Sequence, residues 1–331
     1  CSRRQRQMCI RDRFSCIRSI CALAAQEGMT LYQFDIKGAF LLAPCKEDIY
    51  LNFPGRYKLP KGKCLKCRSY VYGLKQSAAR WHELFSGWLS QHGFENLDTD
   101  GVTFIKQQTN ADKSVSKIML SIHVDDGLAA SNDDEMYQQF LHELKADFEL
   151  SDCGELQWLL GCKVEQDRVN MGFAVQANQL TACADADHAG AKDRRSVSGY
   201  ALMLNGAMVM WTSKRQPVTA VSSTESEFYS VSQCALDCVY LRRILDLMGY
   251  KQVVPTLIAQ DNNACIYLVK GAGMYQRAKH IDTRIYRVRE LSASGDVSLY
   301  KVPGEYQPAD LFTKGLPRVA FERHRRYLMG E

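Results

Sequence analysis

Apolar and polar positions recur with two different periods along this chain, and the period changes where the elements change. In KIMLSIHV (117–124), Ile118, Leu120, Ile122 and Val124 alternate with Met119, Ser121 and His123. A period of two predicts a strand with two unlike faces. It runs into Asp125-Asp126-Gly127 and then LAAS, which reads as a β-hairpin with two carboxylates at its tip. Trp81, Leu84, Phe85, Trp88 and Leu89 recur at helical spacing, with Gly93 just past their end. Met136, Phe140, Leu144 and Phe148 form a second helical stripe, behind Asn132 and Glu135 spaced as in a capping box. LYQFDI (31–36) is a short apolar run that reads as a strand carrying Asp35 near its end.

Around 165–182 no firm period survives, so a domain boundary is expected there. Beyond it, GYALMLN (199–205) and AMVMWTSK (207–214) read as strands. Ser222 and Glu225 have capping-box spacing, ahead of a helix with the stripe Phe228, Val231, Ala235, Cys238, Leu241 and Leu245. PTLIAQD is a strand ending in an acid, NNACIYLVKG a helix, VSLYKVP a strand, and PADLFTK opens a last helical stretch. Strands first and then alternating β and α predict an α/β (α+β) layered chain.

Composition narrows the classes. At 331 residues there is room for two domains, and 46% apolar with 24% charged residues is globular. No apolar run reaches 18 residues, so no membrane span is expected. A net charge of +5 permits a nucleic-acid partner without demanding one. Thirteen cysteines include one CxxC, Cys64 and Cys67, and no second pair at zinc-finger distance. Reduced thiols and no secretory pattern point to an intracellular protein of cytoplasm or nucleus. The basic opening CSRRQRQMCIRDR (1–13) fits no neighbouring element and reads as a non-native scar.

The candidate chemistry is carboxylate chemistry. Asp35 lies on one strand, and Asp125 and Asp126 sit at a hairpin tip. Adjacent acids in an apolar setting are costly without a counter-charge, which a divalent metal supplies. Two metals about 3.5–4 Å apart can activate an attacking oxygen and stabilise a leaving one. Asp-Gly is also a favoured turn pair, so on the local pattern alone a plain turn is the favoured reading. In the second half, Asp185 follows a short strand, Glu225 sits in a first helical turn, Asp261 ends a strand and Asp310 begins a helical segment. Taken singly, Glu225 reads as a capping-box acid and Asp310 as a first-turn acid favoured by the helix dipole.

The wider pattern is more specific. QFDIKGAFLLAPCKEDIYLNFP, YVYGLKQSAARWHELF, KIMLSIHVDDGLAAS and GELQWLLGCKVE follow one another at compatible spacings. Block after block, this resembles the reverse transcriptase of copia-type LTR retrotransposon Pol polyproteins. ADADHAGAKDRRSVSGYALMLNGAMVMWTSKRQPVTAVSSTESEFYSV, AQDNNACIYLV, RAKHIDTRIYRVRE and VPGEYQPADLFTKGL resemble the ribonuclease H of the same elements. The resemblance implies a polymerase palm-type sheet with packed helices over 14–166, including remnant fingers. It further implies a junction at 167–182 and a ribonuclease H-like α/β domain over 183–331.

It also implies roles. Asp35 and Asp125 would be metal ligands, with Asp126 in the same acidic motif. Phe40 would lie under the sugar of the incoming nucleotide, against a reading as a core Phe. Gly73, Leu74, Lys75 and Gln76 would pack beside template and nucleotide, although Lys75 also reads as a solvated charge. Leu160-Gly161 would support the primer terminus. Asp185, Glu225, Asp261 and Asp310 would converge on a second metal pair, with Arg194, Arg195 and Lys214 on phosphates. The expected cofactor is Mg²⁺, two per site, with Mn²⁺ as a substitute. The expected partners are RNA template, DNA primer, RNA–DNA hybrid and deoxynucleoside triphosphates.

Three positions depart from the pattern or stay open. His123 stands where the family has Tyr, His188 stands where it has Trp, and His280 reads equally as near the site or on the surface. The family's fingers ahead of Asp35 and its thumb after residue 166 have little counterpart here. The expected function is therefore RNA-directed DNA synthesis with ribonuclease H cleavage. The alternative is an inactive retroelement remnant with at most weak nucleic-acid binding.

Overall fold

The computed structural model describes residues 3–51, 63–97, 101–159, 162–166, 178–190, 193–271 and 279–330. They fall into two units, 29–166 and a second that joins 1–28 to 167–331. The first helix, α1 (Arg3–Glu27), belongs to the second unit.

The first unit begins with β1 (Thr30–Ile36), α2 (Ala39–Leu42), β2 (Tyr50–Leu51), β3 (Leu65–Lys66) and α3 (Ser77–Gln91). It continues with β4 (Glu95–Asn96), β5 (Thr103–Thr109), β6 (Val115–His123), β7 (Asp126–Ser131) and α4 (Asp134–Asp147). It ends with β8 (Leu150–Glu155), β9 (Trp158–Leu159) and β10 (Cys162–Lys163). Six strands form one antiparallel sheet in the order β4-β5-β6-β7-β1-β8.

Alternation sends Tyr32, Phe34 and Ile36 of β1 and Ile118, Leu120 and Ile122 of β6 to one face. There they pack on Trp81, Phe85 and Trp88 of α3 and on Tyr137, Phe140 and Leu144 of α4. Tyr32 stacks on Tyr137 at 3.8 Å, and the Trp88 and Phe148 rings meet edge-on at 5.4 Å. Each buried aromatic contributes roughly 1.5–3 kcal/mol. Asp35 lies between Phe34 and Ile36, so it points to the other face. The cap of α4 differs from the expected Asn132/Glu135 pair. Asp133 caps it, accepting from the Met136 amide, while Asn132 bonds Val115 and Lys117 of β6.

The second unit contains β11 (Leu180–Asp187), β12 (Val197–Leu204), β13 (Ala207–Arg215), α5 (Ser223–Leu247) and β14 (Thr256–Gln260). After these come α6 (Asn263–Val269), α7 (Lys279–Ala293), β15 (Val297–Lys301) and α8 (Arg318–Met329). The sheet order is β13-β12-β11-β14-β15. The first three strands form an antiparallel meander, while β14 and β15 run parallel to β11. Parallel neighbours need long crossovers, which α5 and then α6 with α7 supply. This is the expected ribonuclease H-like α/β arrangement.

At the N-terminus the structure groups residues differently from the expected domains. The chain is helical from Arg3, inside the stretch set aside as a scar, and residues 14–28 leave the polymerase-like unit. Cys16, Ile20, Leu23 and Ala24 are each fully buried, a stripe at helical spacing. Four contacts tie α1 to the second unit. Asn205 Nδ2 donates to the Ala22 carbonyl at 3.2 Å, and the Tyr250 hydroxyl donates to Glu27 at 2.6 Å. The Cys16 thiol lies 3.6 Å from the Tyr240 hydroxyl, and the Arg18 guanidinium lies 4.1 Å from the Trp211 ring centre.

Candidate active sites

The second unit gathers carboxylates where two parallel strands end. The last paired residues of β11 and β14 are Cys183 and Ala259. Asp185 and Asp261 each lie two residues further on, at the same level of adjacent strands. Carboxyl ends of parallel strands are where open α/β sheets bind ligands. Glu227, from the second turn of α5, completes the group. One carboxylate oxygen from each of Asp185, Glu227 and Asp261 lies within 4.8 Å of the others.

The surrounding bonds hold these acids in place. Glu227 accepts from the Ala186 amide at 3.0 Å, and Asp185 accepts from the Thr313 hydroxyl at 2.5 Å. Asp310, on the 3₁₀ turn Pro308–Phe312, pairs with Lys314 at 2.8 Å. Burial, then the charges of Asp185 and Asp261, push the Glu227 carboxyl up to about 9. Burial raises Asp310 to about 7, with Lys314 opposing and Asp185 adding to it. Asp261 is raised by burial and by Asp185. Crowded, desolvated carboxylates hold protons because their charge has no compensation.

Glu227, not the expected Glu225, is the α5 acid that lies with Asp185 and Asp261. Ser222 caps α5 by accepting from the Glu225 amide at 3.2 Å, and Glu225 reaches back to the Val221 amide at 2.7 Å. That reciprocal pair is the capping box, and it holds Glu225 at the helix mouth. Residues two apart point about 200° away from each other around a helix, so only one of the two acids can face the sheet. Glu227 shares its side of α5 with Val231, Cys234, Cys238 and Leu241, all buried.

Sequence reasoning missed two buried glutamines and a threonine. Gln260 and Gln307, both fully buried, each donate to the Ala184 carbonyl, at 3.4 and 3.0 Å. They bind the strand next to Asp185 where β11 and β14 part. A lone Gln or Thr in a sequence gives no motif signal; only the pairing shows them.

In the first unit, Asp35 pairs with Asp126 across β1 and β7, which places both side chains on the face away from the helices. The Ile36 amide donates to the Asp125 carbonyl at 3.0 Å. The turn is not Asp-Gly. His123 pairs with Asp126, so the turn is Val124-Asp125, and Val124 has φ 62°. Gly127 lies within β7, and a Cβ there would fall 2.1 Å from the Phe34 ring. It is required by packing, not by the turn.

Hydroxyl groups from other elements hold these acids. Ser151 donates to Asp35, and Tyr72 donates to Asp125 at 3.2 Å. The Tyr72 ring meets Phe40 at 4.6 Å, so Phe40, itself buried, is linked to Asp125 through a tyrosine that the sequence did not single out. Trp81 Nε1 donates to the Val124 carbonyl at 2.5 Å. Lys75 is exposed, Gln76 precedes α3, and His123 is half-buried at the end of β6. Leu160-Gly161 lies outside the described residues.

The remaining candidates are not among the clustered acids. Arg194, Arg195 and Lys214 are exposed, and Arg195 and Arg215 both pair with Asp193. His188 is exposed, and the His280 side chain lies outside the described set. Cys64 is exposed and Cys67 buried, and the described residues contain no metal-ligand cluster that uses either. No described helix is long and apolar enough to cross a membrane.

Comparison with known proteins gives the family. The family model for reverse transcriptase (RNA-dependent DNA polymerase) matches residues 9–185, over half the chain, and starts inside the stretch set aside as a scar. The Retrovirus-related Pol polyprotein from transposon TNT 1-94 of Nicotiana tabacum is 22% identical over 419 residues, covering 92% of this chain and 31% of that polyprotein. The counterpart from transposon RE1 of Arabidopsis thaliana is 23% identical over 412 residues, covering 92% and 28%. This chain thus spans under a third of the length of those polyproteins. Both alignments are longer than its 331 residues, so both relatives carry residues with no counterpart here.

Among solved structures, the foamy viral protease-reverse transcriptase in complex with RNA/DNA hybrid covers 88% of this chain and 44% of its own, at 9% identity and TM-score 0.47. RNase H1 from the halophilic archaeon Halobacterium salinarum covers 41% and 94%, at 14% identity and TM-score 0.32. With the family model spanning most of the first unit and the relatives running across both, the chain belongs to the reverse transcriptase (RNA-dependent DNA polymerase) family, in the lineage of copia-type retrotransposon Pol polyproteins.

Proposed function

We propose that the second unit is a ribonuclease H that cuts the RNA of an RNA–DNA hybrid, and that the first is the palm of an RNA-directed DNA polymerase. The observation that carries the reading is the convergence of Asp185, Glu227 and Asp261 within 4.8 Å at the ends of parallel strands. Their donor set is carboxylate oxygen only, which suits a hard divalent cation, Mg²⁺ with Mn²⁺ as substitute. The raised Glu227 and Asp310 carboxyls fit this too, since a cation would supply the missing compensation. When bound, a metal pair supplies an activated water and a stabilised leaving oxygen for phosphoryl transfer.

The chain's own groups do the rest. Gln260 and Gln307 fix the strand ends, Thr313 orients Asp185, and Lys314 holds Asp310. Arg194, Arg195 and Lys214, all exposed, would meet backbone phosphates, and the hybrid would be read by backbone and 2′-hydroxyl contacts. In the palm, Asp35 and Asp125 would hold the metals beside Asp126. Phe40 would limit the sugar pocket, and Lys75 and Gln76 would flank template and nucleotide. RNA template, DNA primer and deoxynucleoside triphosphates are its substrates in this reading. Nine cysteines that form no disulfide among the described residues fit a reducing setting, cytoplasm or nucleus.

The test is cleavage of a labelled RNA–DNA hybrid by the full chain with Mg²⁺. The wild type should cut the RNA strand and Asp261→Asn should not. Equal cleavage by both would remove the proposed metal site, and none by either would favour the inactive remnant.

A second reading applies to the polymerase half. The relatives' extra aligned residues, set against a junction of only 167–182, leave no room for a helical thumb. Primer placement within about an ångström governs rate, so little processive synthesis is expected. Long primer-extension products on an RNA template would overturn that expectation.

A further inference from the structure

The turn that carries Asp310 has a second side. It leaves β15 and passes Asp261 at Gly304, where a Cβ would lie 3.3 Å from the Asp261 carboxylate. Two residues on, Tyr306 borders a cavity of about 260 Å³, which Tyr300 of β15 and Arg323, His324 and Tyr327 of α8 also line. Arg323 donates to the Glu305 carbonyl at 3.1 Å, so α8 is fastened to the same turn.

Three features set this hollow apart from a packing gap. Tyr300, Tyr306 and Tyr327 come from three separate elements, yet they stay 40%, 55% and 53% exposed around one opening. Large rings left in water at a shared hollow are unspent stacking surface. His324 is 3% exposed and lines the same hollow. Burial and the nearby Arg323 and Lys314 charges hold this imidazole below its ordinary pKa, so it offers one donor and one acceptor. Arg323 is exposed, with its guanidinium 5.4 Å from the Tyr306 ring centre.

Tyrosine faces, a neutral imidazole and a cation together match one chemistry. Rings stack on any base, the imidazole meets a base edge, and the arginine meets phosphate. An alkyl ligand would use neither Arg323 nor His324, and a metal would find no carboxylate or thiol among the lining residues.

We propose that this cavity is a nucleobase subsite, taking one unpaired nucleotide of a strand whose duplex part lies over the acid cluster. The base rests on the tyrosines and the phosphate on Arg323. Seating the duplex over the acids rests on the ribonuclease H reading; base capture by the cavity does not.

The experiment is fluorescence anisotropy with the full chain in EDTA. The probes are a labelled blunt RNA–DNA hybrid and the same hybrid with a short single-stranded overhang at one end or the other. At least one overhang should tighten binding by about tenfold. Tyr306→Ala and Tyr327→Ala should each remove most of that gain and leave blunt-hybrid binding unchanged. Tyr306→Phe, which keeps the ring, should retain the gain. An abasic overhang of the same length should give no gain, because it carries the phosphates without the base. Equal binding of blunt and overhung hybrids, or a gain that survives both alanine variants or the loss of the bases, would overturn the proposal. Hybrid cleavage without an overhang gain would sink the subsite alone. An overhang gain without cleavage would sink the ribonuclease reading alone.

Discussion

The two acid sites of this chain solve the same electrostatic problem in opposite ways. In the first unit, Asp35 and Asp125 are half-exposed and Asp126 is exposed, with hydroxyls of Ser151 and Tyr72 as partners. Solvent exposure and these hydroxyls ease their charge, and geometry is the difficult part. A strained turn and a glycine that admits the Phe34 ring supply it. In the second unit, Asp185, Glu227 and Asp310 are 2%, 8% and 7% exposed. Geometry there comes readily from parallel strand ends, and charge is the difficult part. A buried carboxylate needs compensation. The first site is thus shaped by its backbone, while the second is poised for a cation.

The largest effect that would break this comparison is at α5. Glu227→Gln should lower Mn²⁺ affinity, read by titration calorimetry, by about a hundredfold or more, and hybrid cleavage with it. Glu225→Gln should leave both within about twofold, since its carboxylate closes the capping box and is not among the clustered acids. If the two variants trade places, the buried cluster is not the metal site.

Next in size is Gly127→Ala. The added Cβ would fall 2.1 Å from the Phe34 ring, inside the first unit's core. Overpacking of this kind costs about 1–3 kcal/mol. Urea denaturation of the full chain should show the loss in the transition of the first unit. An unchanged midpoint would mean that β1 and β7 can part easily and that the acid pairing is not rigidly set.

The pH response should separate the units further. Glu227 is raised from 4.5 to about 9 and Asp310 from 3.8 to about 7. The folded state therefore keeps protons that the unfolded chain releases. That contribution is full below about pH 4, and is lost as pH rises through 7 and on to 9. Asp133 in the first unit is lowered by the Ser116 hydroxyl and the Met136 amide, so its contribution is lost as pH falls below the ordinary carboxylate range. In EDTA, the thermal transition of the second unit should fall by several degrees between pH 5 and pH 8. Mg²⁺ should restore it at pH 8, and Glu227→Gln should flatten the dependence. A second unit that is more stable at pH 8 than at pH 5 without metal would contradict the crowded-acid account.

The sequence carried the two sites unequally. Asp35, Asp125, Asp185 and Asp261 were legible because each ends or interrupts an apolar run, and strand ends show in a period of two. Glu225 stands out in the sequence because capping-box spacing is a local signal. The competing signal was the same helix's apolar stripe, extended one turn back from Val231 to position 227. Asp125-Asp126-Gly127 looked like a turn because Asp-Gly usually is one. The Phe34 ring that claims Gly127 lies 93 residues away in sequence, which local pattern cannot reveal. Tyr72, Ser151, Gln260 and Gln307 act only through partners on other elements. In α1 the readable signal is the stripe Cys16, Ile20, Leu23 and Ala24, and the basic stretch ahead of it in sequence shows no period.

The smallest effect is expected at Val124, and it bears most directly on the backbone-shaped site. A β-branched residue at φ 62° is a steric outlier, in a two-residue turn whose first position favours glycine. Strain of this kind costs about 1–3 kcal/mol. Val124→Gly would relieve it, but would also loosen the unfolded chain by about 0.4–1 kcal/mol and remove a side chain packed on the aromatic core. The net gain should therefore stay below about 1 kcal/mol. The Trp81 bond to the residue-124 carbonyl is a backbone bond and survives the change. With the strain gone, Asp125 should be less firmly aimed. Mn²⁺ binding by the first unit should then weaken by a few fold, while the ribonuclease H-like unit binds as before. A lower unfolding midpoint instead would show that packing, not strain, holds this turn, and the contrast between the two sites would then rest on exposure alone.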